Sequence, residues 1–177
     1  MSFKTDFKDA NIEFNKFKEI ICKHIKGSII DIESQDNELA KMFDKYSGID
    51  AIQLYNNKIR GIAIRVQWGV NYQTFTIRFS RATGTKTEYE KRCEAIYGDN
   101  GFWYPYLTIQ VYIDNRENSI NLLGFAIVKT KDLYDYIQEN LDTLNIKEAP
   151  DGNKFICIKF SELKNADKKI IIQSNET

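Results

Sequence analysis

The apolar residues between Ile49 and Trp68 recur at every second position, and the run is broken once, by two asparagines. In "GIDAIQLYNNKIRGIAIRVQWG", Gly48 to Gly69, Ile52 and Leu54 precede Asn56-Asn57, and Ile62, Ile64, Val66 and Trp68 follow it. A period of two is the pleat of a β-strand, and Asn tolerates the positive φ that a two-residue turn needs. The stretch is expected to form strands over 49–55 and 58–68, joined as a hairpin. Both strands are apolar enough to be buried, yet they carry Asp50, Arg65 and Gln67. The pleat places Ala63, Arg65 and Gln67 on one face of the second strand and Ile62, Ile64 and Val66 on the other. Asp50, at the mouth of the first strand, can approach the mixed face.

On either side the period changes. From about Asn11 to Lys26, Ile12, Phe14, Phe17, Ile20, Ile21 and Ile25 stand at helical spacing, and Gly27 is placed to stop the helix. "SIIDIES" is a short strand or a turn, and a second helix is expected from Gln35 to Tyr46, ending at Gly48. "TFTIRFS" is a third strand, expected to extend the hairpin into a three-strand meander. Thr85 or Thr87 is the expected N-cap of a helix that runs to about Ile96, with Glu88 and Glu90 in its first turn. "YPYLTIQVYID" and "INLLGFAIVKT" are a fourth and a fifth strand, "KDLYDYIQENLDTL" a long helix, "KFICIKF" a last strand, and the residues after Ser161 a polar tail. The order specifies an α+β (α/β layered) fold, a mixed β-sheet flanked by helices, in which the strand after the helix can run parallel to a meander strand.

The 177 residues suit one domain, 1–177, and no repeat or linker divides them. Cys22, Cys93 and Cys157 lie far apart with neither CxxC spacing nor a neighbouring histidine, which argues against a disulfide framework and a zinc site and for a cytoplasmic protein. The beginning of the chain lacks an apolar signal core, and no window approaches the ~18 apolar residues of a membrane span. No membrane partner is expected.

The order helix, three strands, helix, strand, with "GID" at the first strand and the "hxhRxQ" pattern on the second, resembles the core of the PD-(D/E)xK nuclease-like superfamily. The resemblance covers roughly residues 34–114, with an N-terminal helix and a C-terminal strand-helix-strand as additions. It implies a restriction-endonuclease-like core and a Mg²⁺-dependent endonuclease of a phage, mobile element or defence system. Asp50 would be the metal ligand, Gln67 a direct or supporting ligand, Arg65 the phosphate cation, and Asp44 or Glu38 a supporting acid. The sequence departs from the family pattern at the second strand. If Arg65 stands for the family's lysine, Ala63 stands where an acid belongs. If Gln67 is the ligand, the lysine position is Gly69. Arginine pairs bidentately with phosphate but does not readily exchange protons. A catalytically inactive binding module or inhibitor, acting on nucleic acid or on a protein, is therefore the alternative, and an Asp50–Arg65 pair serving only the fold is the plainest one.

The overall charge is zero, but from Lys58 to Arg92 there are eight cations (Lys58, Arg60, Arg65, Arg78, Arg81, Lys86, Lys91, Arg92) against two acids, a surplus of six. Interleaved with Trp68, Tyr72, Phe75 and Phe79, this is the composition of a backbone-tracking groove, or of an ordinary solvated surface. Arg78, Arg81, Lys86, Lys91 and Arg92 are the expected nucleic-acid contacts. The loop "SRATGTKTEYEKR" offers hydroxyls and cations to phosphate but lacks the GxxxxGK[ST] arrangement of a P-loop. His24, the one histidine, is expected to pack or lie at the surface. DNA or RNA is the expected partner, with a homodimer or a protein partner as further expectations.

Overall fold

The computed structural model describes residues 16–32, 38, 42, 47–99, 103–115 and 121–174. Helix α1 covers residues 16–22. The strands are β1 (Ser28–Asp31), β2 (Ala51–Tyr55), β3 (Lys58–Trp68), β4 (Thr74–Ser80), β5 (Pro105–Ile113), β6 (Leu122–Lys129), β7 (Ile146–Glu148), β8 (Lys154–Lys159) and β9 (Ile170–Ser174). Helix α2 (Glu88–Tyr97) lies between β4 and β5, α3 (Thr130–Asn140) follows β6, and α4 (Phe160–Asn165) follows β8. The main sheet has six strands in the order β1-β2-β3-β5-β6-β9, and β4, β8 and β7 form a second sheet of three. All neighbours are antiparallel except β3 and β5, which run parallel from Gly61↔Pro105 to Trp68↔Ile113. The mixed α+β class and the parallel strand after the helix agree with the sequence reading.

Asn56 and Asn57 both have positive φ, 49° and 57°, which matches the right-handed twist of the β2–β3 hairpin. A meander exists, but β1, β2 and β3 make it. The expected third strand, β4, leaves the sheet, because the open edge of β3 is taken by β5. The Gly69 N–H bonds the Ile113 carbonyl at the end of β5, and the Asn71 side-chain amide donates to the Leu123 carbonyl on β6. With Gln73 at φ 51° and its N–H on the Asn71 carboxamide oxygen, the "GVNYQ" turn carries the chain across the sheet instead of back along β3. The tail after Ser161 is also structured: α4 extends to Asn165, and Ile170–Ser174 pairs antiparallel with β6 as an edge strand. Of the C-terminal strands, β6 and β9 thus belong to the main sheet, while β7 and β8 join β4 in the second.

The alternation in β5 sorts two cores. Ile62, with Ile109, Val111 and Ile113 of β5, faces Phe17, Ile21 and Ile25 of the first helix and the turn after it. His24 packs edge-on against Phe125, with ring centres 5.3 Å apart. On the opposite face Tyr112, Ala126 and Val128 meet Phe75 and Ile77 of β4, Ile156 and Ile158 of β8, and Leu133, Tyr134 and Ile137 of α3. Each fully buried side chain of this kind contributes roughly 1.5–3 kcal/mol. No described helix is long and apolar enough to cross a membrane.

Two polar side chains of β5 fix β4 over the sheet. The Tyr112 hydroxyl donates to the Thr74 carbonyl at 2.6 Å and accepts from the Thr74 N–H at 3.1 Å. The Gln110 carboxamide oxygen accepts the Thr76 N–H at 3.3 Å, while its amide donates to the Arg65 carbonyl at 3.5 Å. Tyr112→Phe strands both backbone groups of Thr74 in a buried setting, so unfolding in urea is expected to show a loss of about 1–3 kcal/mol. An unchanged midpoint would mean that hydrophobic packing alone holds β4 in place.

Candidate functional site

Where β4 and α2 pass over the sheet they leave a cleft of about 400 Å³. Ala63, Ile64 and Arg65 of β3 and Thr108 and Gln110 of β5 line it from the sheet. Thr76, Arg78 and then Arg81 enter from β4 and its loop, and Glu88, Lys91 and Arg92 from α2. Ser47, Gly48 and Asp50 complete the lining ahead of β2.

Helix α2 is started by a capping box. The Thr87 hydroxyl oxygen accepts the Glu90 N–H at 3.2 Å, and the Glu90 carboxylate accepts the Thr87 N–H at 2.7 Å. Of the two threonines the sequence offers, Thr87 is the cap; Thr85 instead accepts from the Arg81 guanidinium at 3.2 Å. One helical turn separates Glu88 from Arg92, so both reach the cleft from one side of α2. Glu88 is clasped between two arginines, with Arg65 Nη1 at 3.5 Å from one carboxylate oxygen and Arg92 Nη2 at 3.5 Å from the other.

Arg92 is 5% exposed. Its Nη2 donates to the Gly48 carbonyl at 3.1 Å, and among the described residues its Nε and Nη1 have no hydrogen-bond partner. Gly48 has φ 56°, and a Cβ there would stand 3.1 Å from that same Nη2. The glycine that ends the helical pattern in the sequence thus also makes room for the guanidinium. Arg65 and Arg78 share the ring of Phe155 on β8, at 5.4 and 5.5 Å from its centre. Burial first, then the charges of Arg65 and Arg81, pull the Arg78 guanidinium below its ordinary value. It remains a cation at neutral pH. Among the described residues the Nε atoms of Arg78 and Arg81 are also buried without a hydrogen-bond partner. The described lining of the cleft therefore holds five cations and two carboxylates, Asp50 and Glu88.

The expected site residues separate. Asp50, Arg65, Arg78, Arg81, Lys91 and Arg92 come together in this cleft. Gln67 does not: two residues along β3, about 6.6 Å at strand rise, it lies opposite Tyr112 and outside the lining. Lys86 is exposed and holds Glu94 at 2.6 Å, away from the cleft. Glu38 is exposed and also outside the lining. Asp44 lies outside the described residues. Glu88 and Gln110 are cleft residues that sequence reasoning did not assign. A lone glutamine inside the buried run of β5 and the i, i+4 spacing of Glu88 and Arg92 were the available signals.

Among the described residues the donor set does not fit the Mg²⁺ that the nuclease resemblance implies. One Asp50 oxygen accepts the Ile64 N–H at 2.5 Å, and the Glu88 carboxylate is engaged by two guanidinium groups. A divalent cation would also sit among five positive side chains. The same arrangement suits an oxyanion, which guanidinium forks bind bidentately.

Sulfate is expected to raise the melting temperature more than chloride does at equal ionic strength, because an anion bound at 100 times its Kd adds about 2.7 kcal/mol. Arg92→Met removes the difference in a thermal melt; an undiminished difference would mean that sulfate acts elsewhere. The Thr87 hydrogen bonds hold the Glu90 carboxyl below the ordinary glutamate range. Its contribution to stability is thus present above that range and lost as pH falls through the lowered value in the fold. Glu90→Gln is expected to flatten this part of the acid limb of stability against pH, measured by denaturant titration at several pH values.

The chemistry of the cleft stands alone as a guide to function, since no protein-family model matches the chain and neither a curated protein nor a solved structure is found to be similar to it.

Proposed function

We propose that this protein binds nucleic acid through its phosphates, as a metal-independent module built on a restriction-endonuclease-like core. The observation that carries the reading is the charge of the cleft: among its described lining residues Arg65, Arg78, Arg81 and Arg92 face Glu88, in a chain whose formal net charge is zero. Guanidinium groups gathered in a concave, partly desolvated site lower the free energy of a bound polyanion. The core assignment draws support from the meander β1-β2-β3, followed by α2 and then β5 parallel to β3, and from Asp50 opening the strand that precedes Arg65.

A Mg²⁺-dependent endonuclease is the second reading, favoured by Asp50 and Glu88 lining the same cleft. It requires Glu88 to leave both arginines.

Fluorescence anisotropy with labelled DNA and RNA oligonucleotides separates the two. Binding is expected to weaken linearly in log K against log salt, with EDTA without effect, and Arg65→Ala is expected to lower the slope by roughly one phosphate contact. Plasmid cleavage in Mg²⁺ or Mn²⁺ that disappears in Asp50→Ala would replace the proposal with the endonuclease. Absence of binding at low salt would remove nucleic acid from consideration.

A further inference from the structure

We infer that the cleft takes the phosphorylated end of a nucleic-acid strand, a terminal phosphomonoester, rather than the phosphodiesters of a strand passing across it; this rests on the nucleic-acid reading above. The inference starts from Arg92. At 5% exposure it belongs to the interior, yet its Nε and Nη1 are buried and without a hydrogen-bond partner among the described residues. Leaving such donors unpaired is costly, and Arg92 is one of the residues that line the cleft. An internal phosphodiester is flanked by sugars and further phosphates on both sides, so it meets surface cations more easily than a buried guanidinium. A strand end has one flank only.

Charge points the same way. Among the described lining residues Arg65, Arg78, Arg81 and Arg92 stand against Glu88, a surplus of three positive charges. A terminal phosphate brings about −1.5 to −2 at neutral pH, and the first diester behind it brings about one more. The three terminal oxygens offer enough acceptors for several guanidinium forks. Besides Arg92, the Nε of Arg78 is buried and without a hydrogen-bond partner. The present anion in the cleft, Glu88, holds Arg65 and Arg92 only at 3.5 Å, well beyond the ~2.7–2.9 Å of a tight charged hydrogen bond. Glu88 thus keeps the two arginines apart and aligned without saturating them, and an entering phosphate competes with it.

The test measures anisotropy of one single-stranded DNA sequence in three forms, with a 5′-phosphate, a 3′-phosphate or two hydroxyl ends, the dye being attached away from the end under test. One phosphorylated form is expected to bind about tenfold or more tightly than the hydroxyl form, equivalent to the usual 1.4 kcal/mol per decade. That advantage should shrink as pH falls through about 6, where the terminal phosphate takes up its second proton. Arg92→Gln, and Arg78→Gln as a less buried variant should the first fail to fold, are expected to abolish the advantage and to weaken the hydroxyl form as well, by no more than the one phosphate contact each arginine supplies. Glu88→Gln is expected to enlarge it. Competition by a nucleoside monophosphate at the affinity of the phosphorylated oligonucleotide would keep the phosphomonoester site and make a free nucleotide its source. Equal binding of all three forms overturns the inference and leaves the nucleic-acid reading intact. Failure of every oligonucleotide to bind overturns both.

Discussion

The parallel pairing of β3 with β5 determines most of what this chain can do. Two parallel neighbours cannot be joined by a hairpin; the chain must leave the sheet, cross over it and return at the same end. Here the connection runs from Gly69 to Tyr104, and it contains β4 and α2. Arg78, Arg81, Lys91 and Arg92 all ride on it, while Arg65 stands on the strand that it leaves. The cleft is therefore the space between a crossover and the sheet it crosses. The two hydrogen bonds between Tyr112 and Thr74, and that from Thr76 to Gln110, set the height of the crossover above its floor.

Holding like charges in that space is possible because each arginine has a different local anchor. Arg65 and Arg78 lie over Phe155, where the aromatic face offsets part of the cost of their proximity. Arg81 is tied to Thr85, and Arg92 to the Gly48 carbonyl. Glu88 links the sheet to the helix through Arg65 and Arg92. None of these contacts uses up the donor capacity of a guanidinium, which has five N–H groups. Stability spent on keeping cations together is a common signature of a binding surface.

Much of the architecture was legible in the sequence because it rests on local signals. Alternation and the Asn pair gave the β2–β3 hairpin, a threonine, Thr85 or Thr87, ahead of Glu88 and Glu90 gave the start of α2, and "YPYLTIQVYID" gave β5. The route of β4 was not legible, since a strand pattern specifies a pleat and one buried face but not a partner; Gly69 and Asn71 redirect it through bonds to β5 and β6 that lie far away in sequence, and the Gln73 N–H on Asn71 closes the turn. The last strand was missed for a related reason. Ile170, Ile171 and Ile172 stand among charged residues, and only pairing with β6 gives so short a segment a place. For the site, counting charges located the basic segment, whereas which cations converge depends on the crossover. Lys86 and Arg81 are five residues apart in the same loop, and one pairs outward with Glu94 while the other enters the cleft. Gln67 shares the face of Arg65 but stands one pleat repeat too far along β3.

Asp50 shows how a residue suited to catalysis can serve the frame of a cleft. The Asp50 N–H bonds the Ile62 carbonyl, and one step further along β3 the strand has no backbone partner on this side that follows the same ladder. The Asp50 carboxylate takes the Ile64 N–H in place of that partner. The β2 ladder ends there, and the chain before it is released from the sheet. Gly48, at φ 56°, then turns its carbonyl to Arg92 instead of to β3. One aspartate thus caps the strand that carries Arg65 and permits the backbone contact that holds Arg92. In this arrangement the "GID" tripeptide that suggests a metal-binding acid positions guanidinium groups on both sides of the cleft, and a carboxylate directed into the strand backbone is what such a role demands.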